Sequence, residues 1–461
     1  MNSKEKKKIL FVVSNNLYIR NYISSSALEV LKKNFTLDFL ISSEVKALKI
    51  TGISNFYTYE ISKKRQRIYY EIFDLLMWNN RSKSKTFKFR LKRVQGLSFT
   101  FDKEISLMMK IIKMIWRVFR FIYFILRNFL FANSITLPIY ISFLNNKIGR
   151  NLPLETSIDA VNPDLVLFPS SAYDPEGSDL IKICSRKNIP CSFLIDNWDN
   201  LSSKTILLER PTHIGVWGQQ SKIHGEEIQG FLSNEISILG TPRYEEYFTA
   251  REHNLQPPYN FIYVLFVGTA LVFDEPSVLV RLNSIIKNDP LLHKLKIVYR
   301  PHPWRQTGEL FNLEELDYVI IDSQLENAYK TGNRDHSFQP SLSYYPALLS
   351  NAEFVMGGLT SMLIEALIFH KRFLGLIHDD GKNFTSMHNV YKNYTHFQGI
   401  ESMDAVTLCS NLENLETIFY QVWNSRNELN PSLIDEQRQF YYYHDKIPYN
   451  QRLSNMCQEI L

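Results

Sequence analysis

Glu353-Phe-Val-Met-Gly-Gly-Leu-Thr-Ser-Met-Leu-Ile-Glu-Ala-Leu-Ile-Phe-His370 is the stretch whose reading decides the fold. Glu353–Met356 is a short apolar run that reads as a buried strand, and Met362–His370 carries the pattern of a helix. Between them, Gly357 and Gly358 let the backbone approach a ligand closely, and Thr360 or Ser361 can cap the helix. A strand feeding a helix through such a turn is the repeating element of a parallel α/β sheet. Its free N–H groups and positive helix end favour a phosphate. Glu365, one turn into the helix, is placed for a ribose hydroxyl.

The same rhythm extends on both sides. Phe261–Val267 is a strand ending in Gly268-Thr269, Lys294–Tyr299 ends in Arg300-Pro-His-Pro303, and Tyr318–Ile321 and Arg372–Ile377 complete a set of five with Glu353–Met356. Upstream, residues 9–13, 36–41, 164–168, 191–195, 213–217 and 236–240 form a second set, so a linker at Pro257-Pro258 separates two repeats of one plan. The expected architecture is α/β, with two Rossmann-like domains facing a cleft. Residues 1–250 form the acceptor side and 259–425 the nucleotide side, followed by a helical tail over 426–461. Ligands of such sheets bind beyond the carboxyl ends of the strands, which makes the residues just after strands the candidates.

Those residues carry chemistry. In the second domain, Gly268, Thr269, Arg300, His302, Gly358, Thr360, Ser361 and Glu365 are expected to bind a nucleotide donor, with Arg300 and His302 aimed by flanking prolines. In the first, Asp196-Asn-Trp-Asp-Asn200 follows a strand. Asp196 or Asp199 is a candidate general base, and Trp198 and Asn200 are candidate acceptor contacts. The same stretch also reads as an Asx-rich turn with a packed Trp. Asp174 and Glu176, after the preceding strand, compete for the base role, and Asn15 lines the same end. No carboxylate pair stands in a metal-binding context, so neither a metal nor a cofactor is expected beyond the donor itself.

The order Gly240-Thr-Pro-Arg243, Arg300-Pro-His-Pro303 and Thr360-Ser361-x3-Glu365 resembles bacterial enzymes of capsule and lipopolysaccharide assembly. Capsule Kdo transferases, bacterial sialyltransferases and CDP-glycerol glycerophosphotransferases share such motifs. The resemblance implies a GT-B glycosyltransferase in which His302, Thr360 and Ser361 hold a cytidine nucleotide. It implies a surface polysaccharide or lipid-linked acceptor. The acidic-acidic-Gly motif of the sialyltransferases survives here only as Asp174-Pro-Glu-Gly177, and the Asp-Tyr-Ser-Ser of the glycerophosphotransferases is absent. Rival readings are a UDP-sugar 2-epimerase, a CDP-glycerol-type phosphotransferase and an inactive scaffold of the same fold.

Composition narrows the class. With 461 residues, 45% of them hydrophobic and 21% charged, the chain suits two folded domains rather than a disordered polymer. Cys184, Cys191, Cys409 and Cys457 are scattered, which fits a reducing cytoplasm better than a disulfide framework. The net charge of +5 conceals an insertion, residues 42–160, whose Ile61–Arg127 stretch holds 17 Lys and Arg against 4 Asp and Glu. Leu107–Phe131 reads as a helix with Lys110, Lys113, Arg117, Arg120 and Arg127 in an arc of about 100°. Two readings stand open. In one, its apolar face joins the core and the cations are solvated; in the other, it lies in an anionic membrane surface as a peripheral anchor. Nucleic acid is not an expected partner, since no recognised motif accompanies the charge.

Overall fold

The computed structural model describes residues 6–45, 56–94, 106–253, 255–303, 313–326 and 344–461. The chain folds as two units. The first runs to Glu245 and takes back Phe440–Leu461, and the second is Glu246–Gln439. Each is built on a parallel sheet with helices on its faces, so the two Rossmann-like domains read from the strand rhythm are present.

In the first unit the strands are β1 (Lys8–Val13), β2 (Thr36–Ser42), β3 (Phe56–Tyr59), β4 (Leu165–Ser170), β5 (Cys191–Ile195), β6 (His213–Val216) and β7 (Ile236–Ile238), in spatial order β3-β2-β1-β4-β5-β6-β7. Ile9 to Val13 are wholly buried because helices cover both faces of the sheet, which is why the strand reads as an unbroken apolar run. In the second unit β8 (Ile262–Val267), β9 (Leu295–Arg300), β10 (Val319–Ile321), β11 (Val355–Gly357), β12 (Phe373–Leu376) and β13 (Val406–Cys409) lie in the order β10-β9-β8-β11-β12-β13. The order reverses between β1 and β4 in one sheet and between β8 and β11 in the other. Those two reversals are where an open α/β sheet offers its binding crevice.

Two strands escape the sequence reading. β3 and β13 are edge strands with mixed exposure, so neither shows the continuous apolar signature. The segment 42–160 is not wholly an insertion either, because β3 extends the sheet. Its helices are α1 (Lys63–Asn79), α2 (Lys85–Val94), α3 (Leu107–Phe131), α4 (Thr136–Ile148) and α5 (Leu152–Val161). α1 and α4 share a small core of their own, with Tyr69, Ile72, Leu137 and Leu144 at its centre. α5 instead packs Leu154, Ile158 and Val161 into the main core under the sheet.

The C-terminal tail divides as well. Helix α10 (Tyr449–Ile460), which follows α6 (Pro175–Lys187), α7 (Glu275–Asn288), α8 (Met362–Ile368) and α9 (Leu415–Ser425), belongs to the first unit. It contributes Tyr449, Leu453, Met456 and Cys457 to the same core as Ile9, Phe11 and Val13.

The basic helix α3 overturns one of its two readings. Only Phe124 and Asn128 are buried, and Phe124 lies seven residues from Arg117, four from Arg120 and three from Arg127. Lys110, Arg117 and Arg127 of the cationic arc share that side and are half-buried, Lys113 and Arg120 of the same arc are exposed, and the aromatic and aliphatic side faces solvent. The apolar face does not join the core. Among the described residues no helix is long and apolar enough to cross a membrane.

Candidate active site

At the reversal point of the first sheet, three carboxylic acids gather at strand ends. Asp174 accepts hydrogen bonds from the hydroxyl of Ser170 (2.7 Å) and from the amide (2.7 Å) and hydroxyl (3.0 Å) of Ser171. Burial nonetheless pushes its pKa above the usual carboxylate value. Glu176, in the first turn of α6, is pushed up to about 8 by burial and then by the charge of Asp174. Asp196, whose amide donates to the Ser170 carbonyl at 2.9 Å, is pushed up to about 7 by burial, against the pull of the Arg243 cation. Desolvation favours the neutral form of each group. Glu176 and Asp196 are thereby poised to exchange protons near neutral pH, beside an Asp174 whose pKa is raised.

The rest of the 196–200 stretch is committed to structure. The Asp199 carboxylate accepts from the Ser203 hydroxyl one helical turn on. Asn200 is buried and its side-chain oxygen accepts from the Asn197 amide at 2.6 Å. Trp198 is 2% exposed and packs edge-on against Tyr441 at 5.6 Å. The expectation of an indole stacked on a sugar is corrected accordingly: its face is occupied by the protein. Asn15 caps the turn after β1, accepting from the amides of Leu17 (2.9 Å) and Tyr18 (3.3 Å). Tyr18 was not singled out from the sequence, yet its buried hydroxyl stands in the field of Asp196 and Asp174. Its only signal would have been its place five residues beyond a strand.

These pKa values make a stability prediction. A carboxyl whose folded pKa lies above its unfolded value holds its proton more tightly in the native state, so stability falls as pH rises between the two values. For Glu176 that window runs from its ordinary carboxylate value to about 8. Glu176→Gln should therefore melt higher than wild type at pH 8.5 and show a shallower pH dependence. Equal shifts at pH 4 and 8.5 would refute the assignment.

In the second unit the turns after β8, β9 and β11 are packed on one another. The Gly268 amide donates to the Arg300 carbonyl at 2.8 Å, and a Cβ on Gly268 would stand 2.8 Å from the His302 amide nitrogen. A Cβ on Gly358 would stand 2.4 Å from Thr269 and 2.8 Å from the Met387 sulfur. Gly357 has φ +151°, and a Cβ there would meet the Val267 carbonyl at 2.2 Å. At Gly268 and Gly357 the obstruction is backbone, so only glycine fits, whereas at Gly358 the Thr269 and Met387 side chains would have to move. The Thr269 amide and the Tyr299 hydroxyl donate to Glu275 at 2.9 and 2.6 Å. This wholly buried carboxylate in α7 thus fixes the Gly268-Thr269 turn. Sequence reasoning missed Glu275, since nothing in its neighbourhood marks it as more than a helix start.

Ser361 stands at the N-cap of α8 without a side-chain capping bond, and the Thr360 hydroxyl accepts from the Met362 amide at 3.2 Å. Glu365 is wholly buried. Arg300 departs from its expected role: it is buried, ion-paired with buried Asp322 and stacked over Tyr345 at 4.6 Å. Its guanidinium serves the fold of the second unit, leaving His302 as the polar side chain of that turn. Among the described residues no group of three His, Cys, Asp or Glu is placed to hold a metal ion.

No protein-family model matches the chain, and no curated protein matches it. Solved structures do. The UDP-GlcNAc 2-epimerase of Methanocaldococcus jannaschii is 11% identical with a TM-score of 0.54, covering 98% of this chain and 99% of its own. The S. aureus MnaA–UDP co-structure is 10% identical with a TM-score of 0.51, covering 98% and 96%. The fold is that of GT-B-type enzymes. At such identities the likeness extends to architecture and no further.

Proposed function

We propose that the chain is an enzyme of the glycosyltransferase kind that uses a nucleotide-activated sugar. The observation that carries this reading is the carboxylate group at the first sheet's reversal point, where burial pushes Asp196 up to about 7, on a fold shared with a UDP-GlcNAc 2-epimerase and a UDP-bound MnaA. Asp196 takes the proton of an acceptor hydroxyl, whose oxygen then bonds to the anomeric carbon while the bond from that carbon to the donor phosphate breaks. Asp174 and Glu176 hold the proton inventory around it. His302 and the Gly268–Thr269 and Gly358–Ser361 turns bind the nucleotide. By the resemblance noted above, CMP- or CDP-type donors and a surface glycan or lipid-linked acceptor at the inner membrane face are favoured, with the chain cytoplasmic and peripheral.

A second reading, C2 epimerisation of a UDP-sugar, is favoured by one observation, that the two structures compared above include a UDP-GlcNAc 2-epimerase. Two measurements separate the readings. A thermal-shift screen against CMP, CDP, UDP and GDP identifies the base, a ligand at 100 times its Kd stabilising by ~2.7 kcal/mol. Incubation with UDP-GlcNAc alone, followed by proton NMR, then reports inversion at C2. Inversion without acceptor would overturn the transferase reading, and stabilisation by none of the four nucleotides would overturn both.

A further inference from the structure

Helix α3 exposes more apolar surface than a folded soluble chain tolerates. Along its 25 residues, Leu107, Met108, Trp116, Phe119, Tyr123 and Phe129 are all more than 60% exposed. Ile135, Ile139 and Phe143 extend the surface into α4, each more than half exposed. A monomeric soluble protein seldom shows a contiguous apolar patch beyond a few hundred Å². The hairpin itself is well anchored: Phe124 packs edge-on against Trp78 at 5.6 Å, and Phe131 stacks on Tyr140 at 4.2 Å. The outward face is therefore built into the fold and is no loose end.

Charge selects what covers it. α3 contains five cations and no acid, and the one charged residue of α4 is Lys147. Lys113, Arg120 and Lys147 are exposed beside this face, so a second copy docked on it would bring like charges together at its rim, whereas an anionic leaflet would neutralise them. Lys113 and Arg120 remain exposed at the border of the apolar surface, where headgroups would meet them. A helix of this length measures roughly 37 Å and is too charged to span, so it lies along the surface.

We propose that the α3–α4 hairpin inserts its apolar outer face into one leaflet of an anionic membrane, with Trp116, Phe119, Tyr123 and Phe129 below the headgroups and the exposed Lys113 and Arg120 at headgroup level. This goes beyond the reaction chemistry and holds for either catalytic reading. Apolar insertion supplies the main attraction, and charge adds a salt-sensitive share.

The test uses the full chain and vesicles of phosphatidylcholine alone or with 30 mol%, roughly a third, phosphatidylglycerol, a proportion typical of an anionic surface. Wild type should sediment with both, more strongly with the anionic vesicles, and should stay bound in high salt. Trp116→Ser/Phe119→Ser/Phe129→Ser should lower partition at least tenfold for both vesicles with an unchanged melting temperature. Lys113→Gln/Arg120→Gln should lower only the anionic preference, by about tenfold. Unaltered partition of the serine variant would overturn the proposal. So would a wild type that binds no vesicle but forms a dimer which the serine variant dissociates, since the face would then be a protein interface.

Discussion

Asp196→Asn should lower turnover by ~10²–10⁴-fold, the usual scale for loss of a general base, while nucleotide affinity stays within about twofold. A base must be ionised to act, and Asp196 is pushed up to about 7 by burial. The wild-type rate should therefore climb between pH 6 and 8, and the variant should lack that limb. Loss of fold cannot mimic this result. Above pH 7 the ionised carboxylate burdens the folded state, so an amide in its place should raise the melting temperature at pH 8 rather than lower it. Gain of stability with loss of function is the mark of a strained active-site group. Asp199→Asn is the control: its carboxylate is bonded to Ser203 within one short turn, and the rate should change little. A reversed pattern, with Asp199→Asn inactive and Asp196→Asn active, would move the base.

The second large effect concerns stability. Arg300→Ala should destabilise the protein by ~3–5 kcal/mol, because it leaves Asp322 charged and buried without its partner. His302→Ala, in the same turn, should leave the melting temperature nearly unchanged and weaken nucleotide binding at least tenfold. The two residues read alike in sequence but differ in surroundings, since Tyr345 and Asp322 enclose Arg300. The double variant Arg300→Met/Asp322→Leu should recover much of the stability, because replacing a buried pair by apolar groups removes both desolvation costs. If Arg300→Ala melts like wild type and loses nucleotide affinity instead, the guanidinium is a donor contact after all.

How far the sequence carries is visible in particular elements. β1, β4, β5, β8, β9 and β11 are legible because a strand covered on both faces must be apolar throughout. The candidate residues that follow them are legible too, because a parallel sheet presents every strand's carboxyl end on one edge. Asp174, Glu176, Asp196, Gly268 and Gly358 are singled out as candidates by that rule alone.

The edge strands β3 and β13 are not legible, because half-exposed strands need no apolar run. Nor does local pattern foretell which of two neighbouring groups is spent on packing. Trp198 meets Tyr441, Arg300 meets Asp322, and the Gly268-Thr269 turn hangs on Glu275. For Trp198 and Arg300 the deciding partner lies outside the local motif, and for Glu275 the neighbouring sequence gives no sign of the role.

Helix α3 shows the same division most plainly. Its sequence determined that cations and aromatics occupy opposite sides, since the period of the helix separates them. Only the tertiary structure decided which side turns inward. Phe124, packed on Trp78 of α1, and buried Asn128 turn Lys110, Arg117 and Arg127 toward the protein and leave the apolar surface outside.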